Sequence, residues 1–307
     1  MHQIENLADT QEARKAHQKA GRVAGMALRF GARQIKPGAS MREVLDSVEE
    51  YIRKNGCELA FPAQSSINTV AAHFCPTDTA DHIYADGELV KLDCGAHYDG
   101  YIGDNAITVS LGGKDKALAD AALAALRSVE RNLRPGATPF EIGSAIAKEI
   151  NDRGFLPIRN LTGHGLGRFE IHTTPSMPNH AAGDRTPLVE NQVIAVEPFA
   201  TNGTAGMITN GTTPTIFGLQ PGRPVRSQYA RDVVHEVEKY QGLPFTTRWL
   251  TRSLGGKALL GLTELRRSGA LIDYPPLIER SGGLVAQQEH TFLITKNGCQ
   301  VLTKDDD

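Results

Sequence analysis

The sequence carries an internal duplication, and this feature constrains its fold more than any other. Residues 36–56, KPGASMREVLDSVEEYIRKNG, align with residues 134–154, RPGATPFEIGSAIAKEINDRG, at an offset of 98. Both copies have a Pro-Gly-Ala turn, a hydroxyl residue three positions before a glutamate, and an apolar stripe of helical period. A chance match of two amphipathic helices would not be expected to share the turn and the capping chemistry. The predicted capping boxes are Ser40 with Glu43 and Thr138 with Glu141.

Each copy also stands in the same larger order of elements. Another helical stretch precedes each copy, at about 10–33 and about 115–132, and β-rich sequence follows the glycine that ends each copy. This order predicts an α+β fold of two related units packed with a pseudo-twofold axis around a cleft. Two units are too few for a solenoid, whose repeats stack in series.

Two aspartates lie in an apolar stretch of the first unit, VKLDCGAHYDGYIGDNAITVSL at 90–111. The stretch predicts two strands around a tight turn. A loop at Tyr98 and Asp99 would place Asp93 directly opposite Asp104, whereas a loop one residue later would make them diagonal neighbours on one face. Either register brings like charges together, which destabilises a strand pair on a solvated surface. A cation between the two carboxylates explains the apolar neighbours better.

Three more candidate ligands lie in similarly apolar or glycine-rich surroundings. His164 lies between glycines in LTGHGLGRFEIH, Glu197 lies in the run VIAVEPFA, and Glu289 lies in GLVAQQEHTFLIT. Each alone could be a core histidine or a salt-bridged glutamate. Together with the two aspartates they supply four carboxylates and one imidazole, enough for two divalent cations. Such a set suits Mn, Fe, Co or Zn and does not choose among them.

Composition argues against several other classes of protein. The 307 residues have a formal net charge of −2 and contain no run of Lys and Arg, which argues against binding of nucleic acid or a membrane surface. No signal peptide and no apolar run of 18 residues is present, so a cytoplasmic protein is expected. The four cysteines are scattered without a C-x-x-C pair and are expected to be reduced. Cys94, next to Asp93, is expected to point to the opposite face of its strand and to pack there.

Five stretches resemble the methionine aminopeptidase family and together cover the chain nearly end to end. They are FPAQSSINTVAAHFCP, VKLDCGAHYDGYIGDNAITV, GHGLGRFEIHTTPSMPN, VIAVEPFAT and DYPPLIERSGGLVAQQEHTFLIT. The resemblance implies the pita-bread fold, two divalent metal ions per chain, and removal of the initiator methionine from nascent chains when the next residue is small. It also implies that Asp104 and Glu289 bridge the metals. The positions that match the family's five ligands are Asp93, Asp104, His164, Glu197 and Glu289.

The resemblance further implies a mechanism in which a hydroxide that bridges the metals attacks the scissile peptide at neutral pH. Glu197 is the candidate to carry the proton to the leaving amine. His172 is expected to contact the developing oxyanion, and His73 the scissile amide nitrogen or the bound product. The methionine side chain is expected to fill an apolar pocket. Candidates for the lining of that pocket are Phe61, Pro62, Ile171, Phe199 and Tyr274.

The spacing of the last two ligands resembles the type 2 enzymes of this family. Between Glu197 and Glu289 lie 91 residues, and about 221–274 shows helical periodicity of its own, followed by YPPL at 274–277. This resemblance implies a helical insert subdomain at about 221–274, with 1–220 and 275–307 forming the catalytic domain. The half-repeats of that domain are then about 10–111 and about 115–220 with 275–307. The long charged N-terminal extension of the eukaryotic type 2 enzymes is missing, which favours the compact prokaryotic, archaeal form.

The same resemblance sets the expected partners. The expected partners are the N-termini of nascent polypeptides, with at most a transient contact with the ribosome. Neither nucleic acid nor a membrane is expected as a partner, and the enzyme is expected to be a monomer. Because Met1 is followed by the large His2, the enzyme is expected to leave its own Met1 in place.

Two alternative functions were weighed against this one. An Xaa-Pro dipeptidase or aminopeptidase P shares the fold and ligands but has a substantial additional N-terminal domain, whereas only 92 residues precede Asp93 here. A non-catalytic relative that binds RNA or protein would be expected to have lost ligands and to carry basic tails. All five ligand positions are occupied by the matching residue types.

Overall fold

Both halves of the duplication begin with a pair of helices that pack on strands. The computed structural model describes residues 6–304 except 221 and 224, so Met1, His2 and the acidic tail at 305–307 lie outside the described residues. The elements of the first half are α1 (Gln11–Ala32), α2 (Met41–Lys54), β1 (Glu58–Leu59), β2 (Gln64–Ile67), β3 (Val70–Ala72), β4 (Leu89–Tyr98) and β5 (Tyr101–Ser110).

The second half repeats this order and is interrupted by a helical subdomain. It begins with α3 (Lys116–Asn132), α4 (Pro139–Asn151), β6 (Leu156–Pro157), β7 (Thr162–Gly167), β8 (Glu170–Pro178), β9 (Val193–Val196), β10 (Phe199–Thr201) and β11 (Ile208–Asn210). The subdomain contains β12 (Ile216–Leu219), α5 (Gln228–Val237), a 3-10 turn (Glu238–Tyr240), β13 (Phe245–Thr246), α6 (Thr247–Leu254), α7 (Lys257–Arg267) and β14 (Leu271–Tyr274). The half then closes with β15 (Leu277–Glu279), β16 (Val285–Gln287), β17 (His290–Thr295) and β18 (Gly298–Val301).

The duplication extends from the helices into the strands. β1 and β6 begin 98 residues apart, and so do β2 and β7. The turn after each second helix contains a glycine with positive φ, 73° at Gly56 and 80° at Gly154, a conformation that glycine adopts at little cost. The predicted α+β fold with an internal duplication is confirmed.

The two second helices are capped differently, although the sequence predicts the same box for both. At Thr138 the box is complete, because the Thr138 hydroxyl accepts from the Glu141 amide at 3.2 Å and the Glu141 carboxylate accepts from the Thr138 amide at 3.0 Å. At Ser40 the hydroxyl accepts from the Glu43 amide at 3.1 Å but donates to Asp81 at 2.5 Å. The prediction is therefore only half right for the first copy: the Ser40 side chain caps the Glu43 amide, but Asp81, in a loop, accepts from the Ser40 hydroxyl and, at 2.9 Å, from the Arg42 amide.

The hairpin of β4 and β5 settles the position of the two aspartates. Its turn residues Asp99 and Gly100 both have positive φ, 52° and 84°, and the strands pair over ten residues each. Asp93 therefore lies opposite Ala106, diagonal to Asp104, as in the second of the two predicted registers. As predicted, Cys94 points to the other face, where it is fully buried against α1.

The halves meet along their inner sheets. β4 pairs with β5 on one edge and with β1 and β2 on the other, and the second half forms a five-stranded sheet in the order β18-β17-β9-β7-β8. An isolated bridge joins the two sheets, since the Glu289 amide donates to the Ala106 carbonyl at 3.0 Å. α1 and α2 cover the first sheet, while α3 and α4 share a core with β9, β10 and β17. The inner faces are thus left to line a cleft.

The helical subdomain belongs to the second half by its place in the chain, but its helices pack on the first half. β13, β12 and β14 form a small sheet that joins α5, α6 and α7 to the second half. Yet Val233 of α5 and Leu250 of α6 share one core with Val44 and Val48 of α2 in the first half. The three helices lie within the range predicted for the insert, and β12 begins before it, at Ile216. Among the described residues, no helix is both long enough and apolar enough to cross a membrane.

Candidate active site

Both halves contribute side chains to one cavity at the meeting of the two sheets. The predicted ligands project from β4 and β5 of the first half, and from β7, the end of β9 and the start of β17 in the second. All five of these side chains line the cavity: Asp93, Asp104, His164, Glu197 and Glu289.

The donor atoms of this set lie close enough to share metal ions. The His164 Nε2 atom is 3.7 Å from Asp104 Oδ2 and 3.9 Å from Glu197 Oε1. Asp104, His164 and Glu289 each offer one ligand atom within 4.8 Å of the others. Asp93 stands diagonally across the hairpin from Asp104, so the structure brings together every ligand that the sequence predicts.

The electrostatics of the cavity favour the binding of a cation by these carboxylates. Asp93 Oδ1 and Asp104 Oδ1 are buried and have no hydrogen-bond partner among the described residues. Burial raises the pKa of Asp93 to about 7. Burial, together with the charge of neighbouring carboxylates, raises the pKa values of Asp104, Glu197 and Glu289 well above their usual range. An oxygen-rich set with one imidazole fits divalent metal ions, which would satisfy the free oxygens and offset the repulsion.

Two residues that the sequence did not single out hold the ligands in place. Gln287 donates from Nε2 to Glu197 Oε2 at 3.2 Å, and its hydrogen bond to Asp93 lowers the pKa of that carboxyl, against the larger effect of burial. Thr291 Oγ1 donates to the Asp104 carbonyl at 2.8 Å and accepts from the Asp104 amide at 2.7 Å. Such partners orient metal ligands. The signal for Gln287 was its place two residues before the last ligand in a strand-like run.

Two histidines outside the ligand set face the cavity. The His73 ring lies edge-on to Tyr274 at 5.7 Å, and its backbone has a φ of 64° with the amide donating to Gln64 Oε1 at 2.9 Å. The His172 ring lies 4.5 Å from that of His164 and 6.1 Å from that of Tyr274. Burial and the neighbouring His172 lower the pKa of His73 to about 4, and burial lowers the pKa of His172. Near neutral pH both rings are therefore uncharged, and each can donate one hydrogen bond.

Apolar side chains close the other side of the cavity. Phe61, Ile171 and Tyr274 line it as predicted, and the sequence missed three further members, Ala72, Ile216 and Pro244. Phe199 instead lines an adjoining groove that shares His73 and His172 with the cavity. Pro62 is buried beside Phe61 and lies outside the described linings of both. Ile216 lies 17 residues and Pro244 45 residues after Phe199, the last predicted pocket residue before them, and no local pattern marked either.

Comparison of the sequence with known proteins agrees with this geometry. Residues 15–296 match the model of metallopeptidase family M24. The methionine aminopeptidase of Archaeoglobus fulgidus is 42% identical over 294 residues, an alignment that covers 95% of this chain and 99% of that protein.

Two solved structures share the fold over nearly the whole chain. The crystal structure of methionine aminopeptidase from Thermotoga maritima has a TM-score of 0.73 at 23% identity and covers 99% of this chain and 100% of that one. The structure of a thermophilic Arx1 has a TM-score of 0.85 at 18% identity and covers 98% of this chain and 93% of that one. At these identities the likeness establishes the fold alone, the pita-bread fold expected from the sequence.

Proposed function

The chain belongs to metallopeptidase family M24, and we propose that it is a methionine aminopeptidase, which removes the initiator methionine from nascent proteins when the next residue is small. The observation that carries this function is the convergence of five metal-ligand side chains from both halves beside one apolar pocket. The identity of 42% to a methionine aminopeptidase over nearly the full length of both chains supports the same substrate.

The donor set would hold two divalent ions through the side chains of Asp93, Asp104, His164, Glu197 and Glu289. The free Oδ1 atoms of Asp93 and Asp104 and the short distances from His164 to its neighbours support this arrangement. When bound, such ions supply Lewis acidity, which acidifies water and polarises a carbonyl.

The other residues of the site would orient the substrate and move protons. Glu197, which accepts a hydrogen bond from Gln287 at 3.2 Å, would take up a proton and deliver it to the leaving amine. His172, uncharged near neutral pH, would donate a hydrogen bond to the oxygen that becomes negative in the transition state. His73 would contact the scissile amide nitrogen. The apolar side of the cavity would receive the methionine side chain.

The two alternative functions receive less support. A non-catalytic role does not require five converging ligand side chains, and all five are present in the cavity. An Xaa-Pro peptidase is disfavoured by the alignment, which covers 99% of a methionine aminopeptidase.

We further propose that the substrates are nascent chains in the cytoplasm, and that the enzyme is a monomer with at most a transient ribosome contact.

Reconstitution with metal tests this function. Metal-depleted protein is loaded separately with Mn, Fe, Co or Zn and assayed with Met-Ala-Ser, Met-Pro-Ser, Met-His-Ser and Ala-Pro. We expect metal-dependent release of methionine from the first two peptides and little from the third, because a bulky second residue would displace the scissile carbonyl. Hydrolysis of Ala-Pro alone would establish the Xaa-Pro alternative. Absence of any hydrolysis with metal bound would refute the enzyme assignment.

A further inference from the structure

The helical subdomain forms one wall of the cavity. Ile216 of β12, Tyr274 of β14 and Pro244, the residue before β13, all line it. Ile216 is paired with Tyr274 on one side and with Thr246 of β13 on the other. These side chains therefore move with the small sheet as a unit, and the position of that sheet sets this wall.

A cluster of charged residues, here called the clasp, fixes the subdomain to the first half. It comprises Arg248 and Arg252 of α6, Asp46 and Glu49 of α2, and Asp78. Arg248, which is 0% exposed, donates to Asp46 and, at 2.7 Å, to Glu49. Arg252 donates through both terminal nitrogens to Asp46 at 2.8 Å and through Nε to Asp78 at 2.9 Å. Planar guanidinium groups bound in this way fix orientation as well as distance.

Hydrogen bonds connect the clasp to the chain beside His73. Arg248 Nη2 lies 3.7 Å from the sulfur of Cys75, two residues after His73. The Cys75 carbonyl accepts from Thr215 Oγ1 at 2.8 Å, and the Thr215 carbonyl accepts from Thr246 Oγ1 at 2.9 Å. The position of α6 is therefore transmitted both to the strand that pairs with Ile216 and to the segment that carries His73.

Stability alone does not account for the clasp. The subdomain already shares an apolar core with α2, through Val233 and Leu250 among others. A buried ion pair often stabilises no better than apolar residues of similar volume, because its charges lose their hydration. The ion pairs of the clasp, however, permit only one orientation of α6 on α2. An apolar contact between two helices restricts their relative orientation less.

We propose that the clasp determines substrate specificity by setting the depth of the pocket for the N-terminal side chain and aligning that pocket with His73. This inference rests on the proposed function. The residues of the clasp are positioning residues. Ile216, Pro244 and Tyr274 would contact the substrate, and the clasp holds these three side chains in place. Loosening the clasp lets the wall shift, and the pocket then distinguishes methionine less well from a side chain of another shape.

Two clasp variants and a matched control test the proposal. Arg248→Lys keeps the charge but removes the forked geometry, and Arg252→Gln removes only the more exposed arginine. Arg231→Gln is the control, because it removes an arginine of the same subdomain whose hydrogen bonds, 2.6 Å to the Arg226 carbonyl and 2.9 Å to Gln228 Oε1, stay at the start of α5. For each we measure kcat and KM with metal-replete enzyme on Met-Ala-Ser and Leu-Ala-Ser, and the melting temperature.

We expect the ratio of kcat/KM for the two peptides to fall about tenfold in Arg248→Lys, mainly through KM, and less in Arg252→Gln, since one methylene in an apolar pocket changes discrimination by about 10-fold or more. The control should keep the wild-type ratio. Equal losses on both peptides, or the same change in the control, would overturn the proposal.

A variant that does not fold, and a failure of the proposed function, can each be distinguished from a failure of the clasp proposal. If Arg248→Lys does not fold, Arg252→Gln decides the question together with Asp78→Asn, because both leave the contact between Arg248 and Glu49 in place. An unchanged ratio of kcat/KM for the two peptides in these two variants would then overturn the proposal. If the wild type does not hydrolyse Met-Ala-Ser, the proposed function fails, whereas hydrolysis with unchanged selectivity in folded clasp variants refutes only this inference.

Discussion

The first half of the duplication contributes its two predicted metal ligands from one hairpin, whereas the second half contributes its three from separate segments. Asp93 and Asp104 are fixed by a single ladder of paired residues between β4 and β5. His164, Glu197 and Glu289 depend on the pairing of β7, β9 and β17 within a larger sheet. The second helices, the glycines that follow them and the starts of β1 and β2 are repeated 98 residues later, while the side chains presented to the cleft differ. The duplication thus preserved the scaffold, and the ligand chemistry diverged on it.

The difference also separates two kinds of contribution to the site. The first half concentrates like charges on one face of a hairpin, so its main effect is on cation binding. Each half also brings one uncharged histidine outside the predicted ligand set, His73 in the first and His172 in the second. Of these, His172 is the one proposed to donate to the developing oxyanion, so part of the effect of the second half would be on the transition state alone. Substitutions in the two halves should therefore have different signatures.

The largest effect is expected from the first half. Asp104→Asn replaces a carboxylate placed between the two proposed metals by an amide, and should lower hydrolysis of Met-Ala-Ser by more than about 10²-fold and reduce bound metal. The metal-free variant should nevertheless unfold at a higher temperature than the metal-free wild type, because one buried like charge is gone. Metal analysis, peptide assays and thermal melts measure these quantities. Full activity with metal replete would contradict a two-metal site.

A smaller effect with a different signature is expected from the second half. His172→Ala should lower kcat by about 10² to 10³-fold, roughly 2.7 to 4 kcal/mol, if the ring acts as a transition-state hydrogen-bond donor. Bound metal should not change. His235→Ala, which removes a histidine whose side chain is 90% exposed on α5, is the control and should keep the wild-type kcat. Loss of metal together with rate would make His172 a ligand and remove the distinction between the halves.

Local patterns in the sequence predicted the parts of the molecule that local interactions determine. The helix pairs, their terminal glycines and the hairpin followed from periodicity and turn residues, and the candidate ligands were singled out because acids in apolar runs are unusual. The choice between two hairpin registers, the bond from Gln287 to Glu197 and the clamp of Thr291 on Asp104 depend on contacts across the fold. Thr291 and Asp104 are 187 residues apart, so no local pattern could have paired them. The clasp between α2 and α6 escaped prediction for the same reason.

The smallest effect distinguishes the two capped helices. Thr138 and Glu141 form a closed pair, so Thr138→Ala should lower the free energy of unfolding by about 1 kcal/mol. Ser40 also donates to Asp81, and Ser40→Ala should therefore lower the free energy of unfolding by about 1 to 2 kcal/mol. Burial alone would raise the pKa of Asp81, but hydrogen bonds from Ser40 and two backbone amides hold it below its usual 3.8. A carboxyl with a lowered pKa stabilises the fold above its unfolded pKa and loses that contribution as pH falls through its folded value.

The excess effect of Ser40→Ala over Thr138→Ala should thus be present at pH 7 and shrink as the pH approaches 3. Urea unfolding of the metal-free variants across this range measures it, with metal removed so that its acid release does not contribute. An excess that stayed constant with pH would mean that Asp81 does not stabilise the first cap through its charge. The two copies would then be equivalent at their helix starts, and their divergence would be confined to the cleft.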